Sequence, residues 1–175
     1  MPNIFISTKF NYAEEDRLTN ALMAVLEHSD RRVLSEFLSL ATGAATSVNS
    51  GDDVEFELQV SFDKSRPDAR ISAPGITVVV ETKRTDALDE GQLKRHLAGI
   101  ANAQAPTVLL ALTGGRSEPE VVGRLRAGTT NPNVSVRHLS WAAVLAKVTQ
   151  LQPSFSAGTA TGVLLRQFEE YVRSL

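Results

Sequence analysis

The sequence predicts a mixed α/β fold in which a central mixed β-sheet is flanked by helices on both faces. Two kinds of strand signal and the order of the elements carry this expectation. Residues 76–80 (ITVVV) and 106–113 (PTVLLALT) are short β-branched or apolar runs bounded by turn residues, as in strands buried on both sides. Residues 54–62 (VEFELQVSF) alternate strictly, with Val54, Phe56, Leu58 and Val60 on one face and Glu55, Glu57 and Gln59 on the other, as in a half-covered strand. Helical periods precede, separate and follow these strands, and such an order places helices on both sides of one sheet.

Taken in order, residues 3–7 (NIFIS) are a short edge strand or a packed arm. Residues 14–28 carry Leu18, Ala21, Leu22, Val25 and Leu26 at helical spacing, one buried stripe. A second helix is expected over 31–40, then a small polar loop over 42–53. After the alternating strand, a short strand over 67–72 and the run ending at Lys83 are joined by Ala73-Pro74-Gly75, a hairpin turn. Residues 86–102 are expected to be helical, with Leu93, Leu97 and Ile100 on one side and Asp89, Gln92 and His96 on another. The buried strand over 106–113 leads through Gly114-Gly115, read as a connection, to a helix from about Glu118. A further strand over 134–139, a helix over 141–150 and a last helix over 162–174 complete the chain.

At 175 residues and 42% hydrophobic, the chain is expected to be one domain, 1–175, able to bury a core without staples. It has no cysteine, which excludes disulfides and thiolate metal sites. Neither a transmembrane-length apolar run nor a signal-peptide pattern is present, so the expected setting is cytoplasmic, away from membranes. The net charge of −2 is unevenly spread: residues 61–175 hold fourteen Lys or Arg against ten acids. Arg84, Lys94 and Arg95, with Lys83, Arg116, Arg124, Arg126 and Arg137, are therefore candidates for phosphate contact, against the commoner reading of solvated faces.

Chemistry concentrates in 66–84, RPDARISAPGITVVVETKR. Side chains alternate along a strand, so Glu81 and Lys83 share a face, and the hairpin brings Asp68 toward them. Two carboxylates converging on one ammonium repel each other, and a divalent cation with oxygen ligands relieves the repulsion; Mg²⁺ is expected, with Mn²⁺ able to substitute. Such a centre suits phosphodiester hydrolysis. The plain alternatives are a turn acid at Asp68 and a surface ion pair at Glu81 and Lys83. Glu15 lies on the buried stripe of its helix and Glu14 competes for the same role, although acids are common in any first helical turn.

Pro67-Asp68, then Glu81-Thr82-Lys83 at the end of an apolar strand, resemble the PD-(D/E)XK nuclease superfamily. The resemblance covers roughly residues 10–100 and implies a restriction-endonuclease-like core. It puts Asp68 and Glu81 at the metal ligands and Lys83 at the catalytic lysine. It matches Glu15 to a first-helix glutamate and Gln92 to a glutamine on the helix after the motif, with His96 a further member of that stripe. It implies a Mg²⁺-dependent endonuclease acting on nucleic acid, DNA by resemblance alone, as a homodimer or within a larger effector complex. A nuclease fold that binds without turnover is the alternative reading.

Overall fold

The computed structural model describes Asn3, Phe5 and residues 14–62 and 65–175; the side chain of Glu14 is outside the described part. Of the stretch 3–7, only Asn3 and Phe5 can be placed.

Two helices open the chain, α1 (Glu14–His28) and α2 (Arg31–Thr42). Asp30 caps α2, its side chain accepting from the Arg32 N–H, and Gly43 closes it in the left-handed conformation that glycine adopts freely. Strands β1 (Glu55–Leu58), β2 (Ala69–Ala73) and β3 (Ile76–Thr82) follow. Then come α3 (Glu90–Ile100), β4 (Thr107–Thr113), α4 (Glu120–Gly128), β5 (Val134–Ser140), α5 (Trp141–Leu151) and α6 (Ala160–Arg173), with a 3₁₀ turn at Gln152–Ser154.

The five strands form one sheet in chain order, β1-β2-β3-β4-β5. The first three pair antiparallel, and β3-β4 and β4-β5 pair parallel, so the sheet is mixed as expected. The β2-β3 hairpin turns on Pro74-Gly75, where Gly75 has a φ of 78°. Proline presets the first turn position, and the second needs the positive φ that costs glycine nothing.

The sheet separates two cores. On one face Val78 and Val80 pack with Leu18, Leu22, Leu26, Leu34, Leu38 and Phe168 from α1, α2 and α6. Phe5 joins this side, its ring edge-on to Phe168 at 6.3 Å. On the other face Val79, Leu109 and Val136 pack with Leu93 and Ile100 of α3 and Val122 and Leu125 of α4. Alternate residues of β3 thus serve opposite cores, which is why its apolar run is continuous.

The structure differs from expectation at β1. The alternating segment runs to residue 62 in sequence but pairs only as far as Leu58. Gln59 has a φ of 51°, and this left-handed residue breaks the two-residue period, leaving Leu58 48% exposed while Val60 is buried. The Gln59 N–H donates to the Asp68 carbonyl at 2.7 Å, and the Arg66 guanidinium donates to the Gln59 carbonyl and side-chain oxygens. The bend therefore braces the backbone beside Asp68. Glu55 is exposed and Glu57 pairs with Arg70, directly opposite it on β2, so the two acids occupy a solvated face.

Two boundaries near the motif also move. The ladder of β2 begins at Ala69, so Asp68 stands one residue before the strand rather than inside it. Helix α3 starts four residues later than the period suggested because Asp89 is its cap, accepting from the Gln92 N–H at 2.6 Å. No helix among the described residues is long and apolar enough to cross a membrane.

Candidate active site

The parallel strands β3 and β4 end side by side, and the motif residues lie at that end. Register pairs Ala69 with Val80, so the next residue outward, Asp68, comes beside Glu81 and Thr82. Its Oδ2 accepts two hydrogen bonds, from the Thr82 N–H and the Thr82 hydroxyl, both at 2.7 Å. The Thr82 hydroxyl also lies 2.6 Å from that of Thr19 on α1. Asp68 is thus held by the residue that points to the opposite face from Glu81.

Glu81 is 1% exposed and has both carboxylate oxygens engaged. Oε1 accepts from Lys83 Nζ at 2.8 Å, and Oε2 lies 3.0 Å from Nε2 of His96 on α3. The Lys83 side chain, 19% exposed, is also 3.6 Å from Oε2 of Glu15. Glu15 reaches further, its Oε1 accepting from the Arg84 N–H at 3.2 Å. The Lys83 backbone is clamped on both sides: its N–H donates to the Leu112 carbonyl at 2.8 Å and its carbonyl accepts from the Trp141 indole at 3.2 Å. Gly114, just after β4, packs against the Arg84 carbonyl, where a Cβ would collide with backbone.

Charge sets the protonation of the cluster. Burial pushes the Asp68 carboxyl up and the negative charge of Glu81 pushes it further, outweighing the Thr82 hydrogen bonds and the Lys83 charge. For Lys83, burial lowers the ammonium, but the hydrogen bond to Glu81 and the charges of Glu81, Glu15 and Asp68 more than reverse it, so its pKa is raised. Lys83 is therefore an ammonium at neutral pH and serves as donor and charge, not as proton acceptor.

The structure thus brings Asp68, Glu81, Lys83 and Glu15 together. Gln92 is half-buried one turn before His96 on α3, on the same side of the helix as the residue that meets Glu81. His96, expected on a polar stripe with Asp89 and Gln92, is instead fully buried, in register with Leu93 and Ile100 on the inner stripe of α3.

The candidate phosphate-binding cations are mostly tied up. Arg84 donates to the Leu175 carbonyl at 2.7 Å. Lys94 pairs with Glu90 at 2.9 Å and lines a groove of about 460 Å³ between α3 and α4 that none of Asp68, Glu81 and Glu15 lines. Arg124 also pairs with Glu90, Arg126 is clasped by Glu118, and the Arg137 guanidinium lies against Gly43. Arg95 and Arg116 are exposed.

Sequence reasoning passed over Thr82, Thr19 and Trp141. Thr82 and Thr19 carried no signal, since a threonine in a β-rich run or a helix is ordinary. The start of the Trp141 helix was visible, but its reach to Lys83 depends on the β4-β5 pairing.

The donor set fits a hard divalent cation. Asp68 Oδ1 has no hydrogen-bond partner among the described residues, each Glu81 oxygen keeps a second lone pair, and the repulsion that raises Asp68 is the kind a cation relieves. No group of three or more His, Cys, Asp or Glu among the described residues is placed to hold a metal, so water and substrate would complete the shell, as Mg²⁺ tolerates.

The chain is a mixed α/β fold whose five-stranded sheet carries a carboxylate–lysine cluster at the end of a central strand. No protein-family model and no curated protein matches the sequence. Among solved structures, the MspJI restriction endonuclease in complex with a 27-mer oligonucleotide is similar at a TM-score of 0.44 and 17% identity, over 91% of this chain. This chain spans 36% of that one.

Proposed function

We propose that the protein is a divalent-metal-dependent endonuclease hydrolysing phosphodiester bonds of nucleic acid. The observation that supports this best is the Asp68–Glu81–Lys83 cluster, in which buried Glu81 bonds the Lys83 ammonium and half-buried Asp68 lies close enough for both charges to act on it. Asp68 and Glu81 would hold Mg²⁺, or Mn²⁺ in its place, and the cation would supply Lewis-acid polarisation of a phosphoryl oxygen and a more acidic water. The ammonium of Lys83 orients that water or takes up charge developing on the phosphoryl oxygens. Glu15 keeps the ammonium over the site through the 3.6 Å pair, and Gln92 reaches the scissile strand or a metal-bound water. Water oxygen bonds to phosphorus, one P–O ester bond breaks, and the leaving oxygen takes a proton. DNA is the favoured substrate on the motif resemblance, with Arg84, Lys94 and Arg95 as basic candidates for phosphate contact and the cytoplasm as the setting. The enzyme works as a homodimer or within a larger effector complex.

One observation supports a second reading. Both oxygens of Glu81 already have partners, an arrangement stable without metal, which suits a nuclease-fold domain that binds without cutting. Supercoiled plasmid incubated with the protein, with and without Mg²⁺ or Mn²⁺, separates the two. Metal-dependent nicking or linearisation, reduced about 100-fold or more in Lys83→Ala, is the expected result. Cleavage by Lys83→Ala at the wild-type rate overturns the assignment of Lys83, and absence of cleavage with both metals favours the binding domain.

A further inference from the structure

His96 is the one group on α3 that touches the acid cluster, and it does so from a fully buried position: its Nε2 lies 3.0 Å from Oε2 of Glu81, each side chain 1% exposed. A carboxylate oxygen only accepts, so Nε2 carries the hydrogen of this bond. The other ring nitrogen, Nδ1, is buried with no hydrogen-bond partner among the described residues. A buried nitrogen left unpaired is costly, and an apolar side chain between Leu93 and Ile100 would pack without that cost. What the histidine adds here over an apolar side chain is the Nε2 bond to Glu81.

Lys83 holds the other oxygen, Oε1, from the more exposed side. A cation arriving between Asp68 and Glu81 repels the ammonium, so the Lys83 contact must loosen or be shared as the metal binds. The His96 contact is on the other oxygen, Oε2, and comes from a side chain that carries no fixed ammonium charge. We infer that His96 is a positioning residue that fixes the Glu81 carboxylate for metal binding, setting metal affinity without touching metal or substrate. The inference rests on the metal-binding reading above.

The test is calorimetric titration of Mn²⁺ into the wild type, His96→Gln and His96→Leu, with thermal melts of each. Glutamine places an amide N–H near the position of Nε2, and leucine places nothing there. The expected result is affinity close to wild type in His96→Gln and about 10- to 100-fold weaker in His96→Leu. If His96→Leu does not fold, His96→Asn takes its place, since its amide is too short to reach Glu81. A merely structural histidine would lower the melting temperature and leave affinity unchanged below it; Mn²⁺ binding by the leucine or asparagine variant as tight as wild type overturns the inference. A wild type that binds Mn²⁺ and cleaves while those variants bind equally well removes this inference alone, whereas a wild type that binds no Mn²⁺ removes both it and the metal reading.

Discussion

Asp68→Asn is expected to melt at a higher temperature than the wild type at neutral pH while losing nucleic-acid cleavage. The asparagine oxygen still accepts from the Thr82 N–H and hydroxyl, so the local geometry is kept. What disappears is a carboxylate whose folded-state pKa is raised by burial and by Glu81. A raised value means that the native protein binds the proton more tightly than the unfolded chain does. Stability therefore falls as pH climbs through the ordinary carboxylate range to the raised native value, and the whole penalty is present above both. The gain from Asp68→Asn should thus be largest at neutral pH and vanish below the ordinary carboxylate range, measured as the difference in melting temperature between the two proteins from pH 3 to pH 8. Mg²⁺ reverses the comparison if it binds here, because a ligand that binds only the native wild type raises its stability with concentration. A variant that melts lower than wild type at pH 7, or that still cleaves, removes the charge-repulsion account of this site.

Glu81→Ala is expected to act in the opposite sense on stability. Its carboxylate, 1% exposed, lies between Lys83 Nζ and His96 Nε2, and its removal strands the buried His96 donor and leaves Lys83 the longer 3.6 Å pair to Glu15. Breaking a buried ionic contact by deleting one partner costs about 3–5 kcal/mol. Chemical denaturation should report a loss of that size in Glu81→Ala, a smaller one in Glu81→Gln, and no cleavage from either. The two acids are thus expected to separate by stability although loss of either is expected to abolish cleavage: one strains the fold and the other holds it together. Equal stability of Glu81→Ala and wild type would show that Lys83 and His96 find other partners.

Much of this was readable in the chain because the decisive residues are close in sequence. The two-residue period of β3 puts Glu81 and Lys83 on one face wherever that strand lies, and Pro74-Gly75 folds Asp68 back toward them. Glu15 was reachable from the helical stripe it shares with Leu18 and Leu22. The fifth strand, expected over 134–139 without a strong local pattern, is observed at Val134–Ser140. Three things were not readable. The end of β1 at Leu58 depends on a left-handed Gln59, a residue type that gives no turn signal. The Thr82 hold on Asp68 depends on the register of a hairpin whose pairing positions no local pattern prints. His96 was misplaced although a signal existed: it lies three residues after Leu93 and four before Ile100, and that inner stripe outweighs its polar alignment with Asp89 and Gln92.

The contact between the Trp141 indole and the Lys83 carbonyl has an optical consequence. Trp141 is the only tryptophan in the chain, so its emission belongs to a single place, one hydrogen bond from the motif lysine. Any event that shifts the end of β3, a cation settling between the acids or a phosphate pressing on the ammonium, alters the surroundings of the one fluorophore that absorbs at the red edge of the aromatic band. The protein therefore carries its own gauge of occupancy at this site, legible without a dye, a label or turnover.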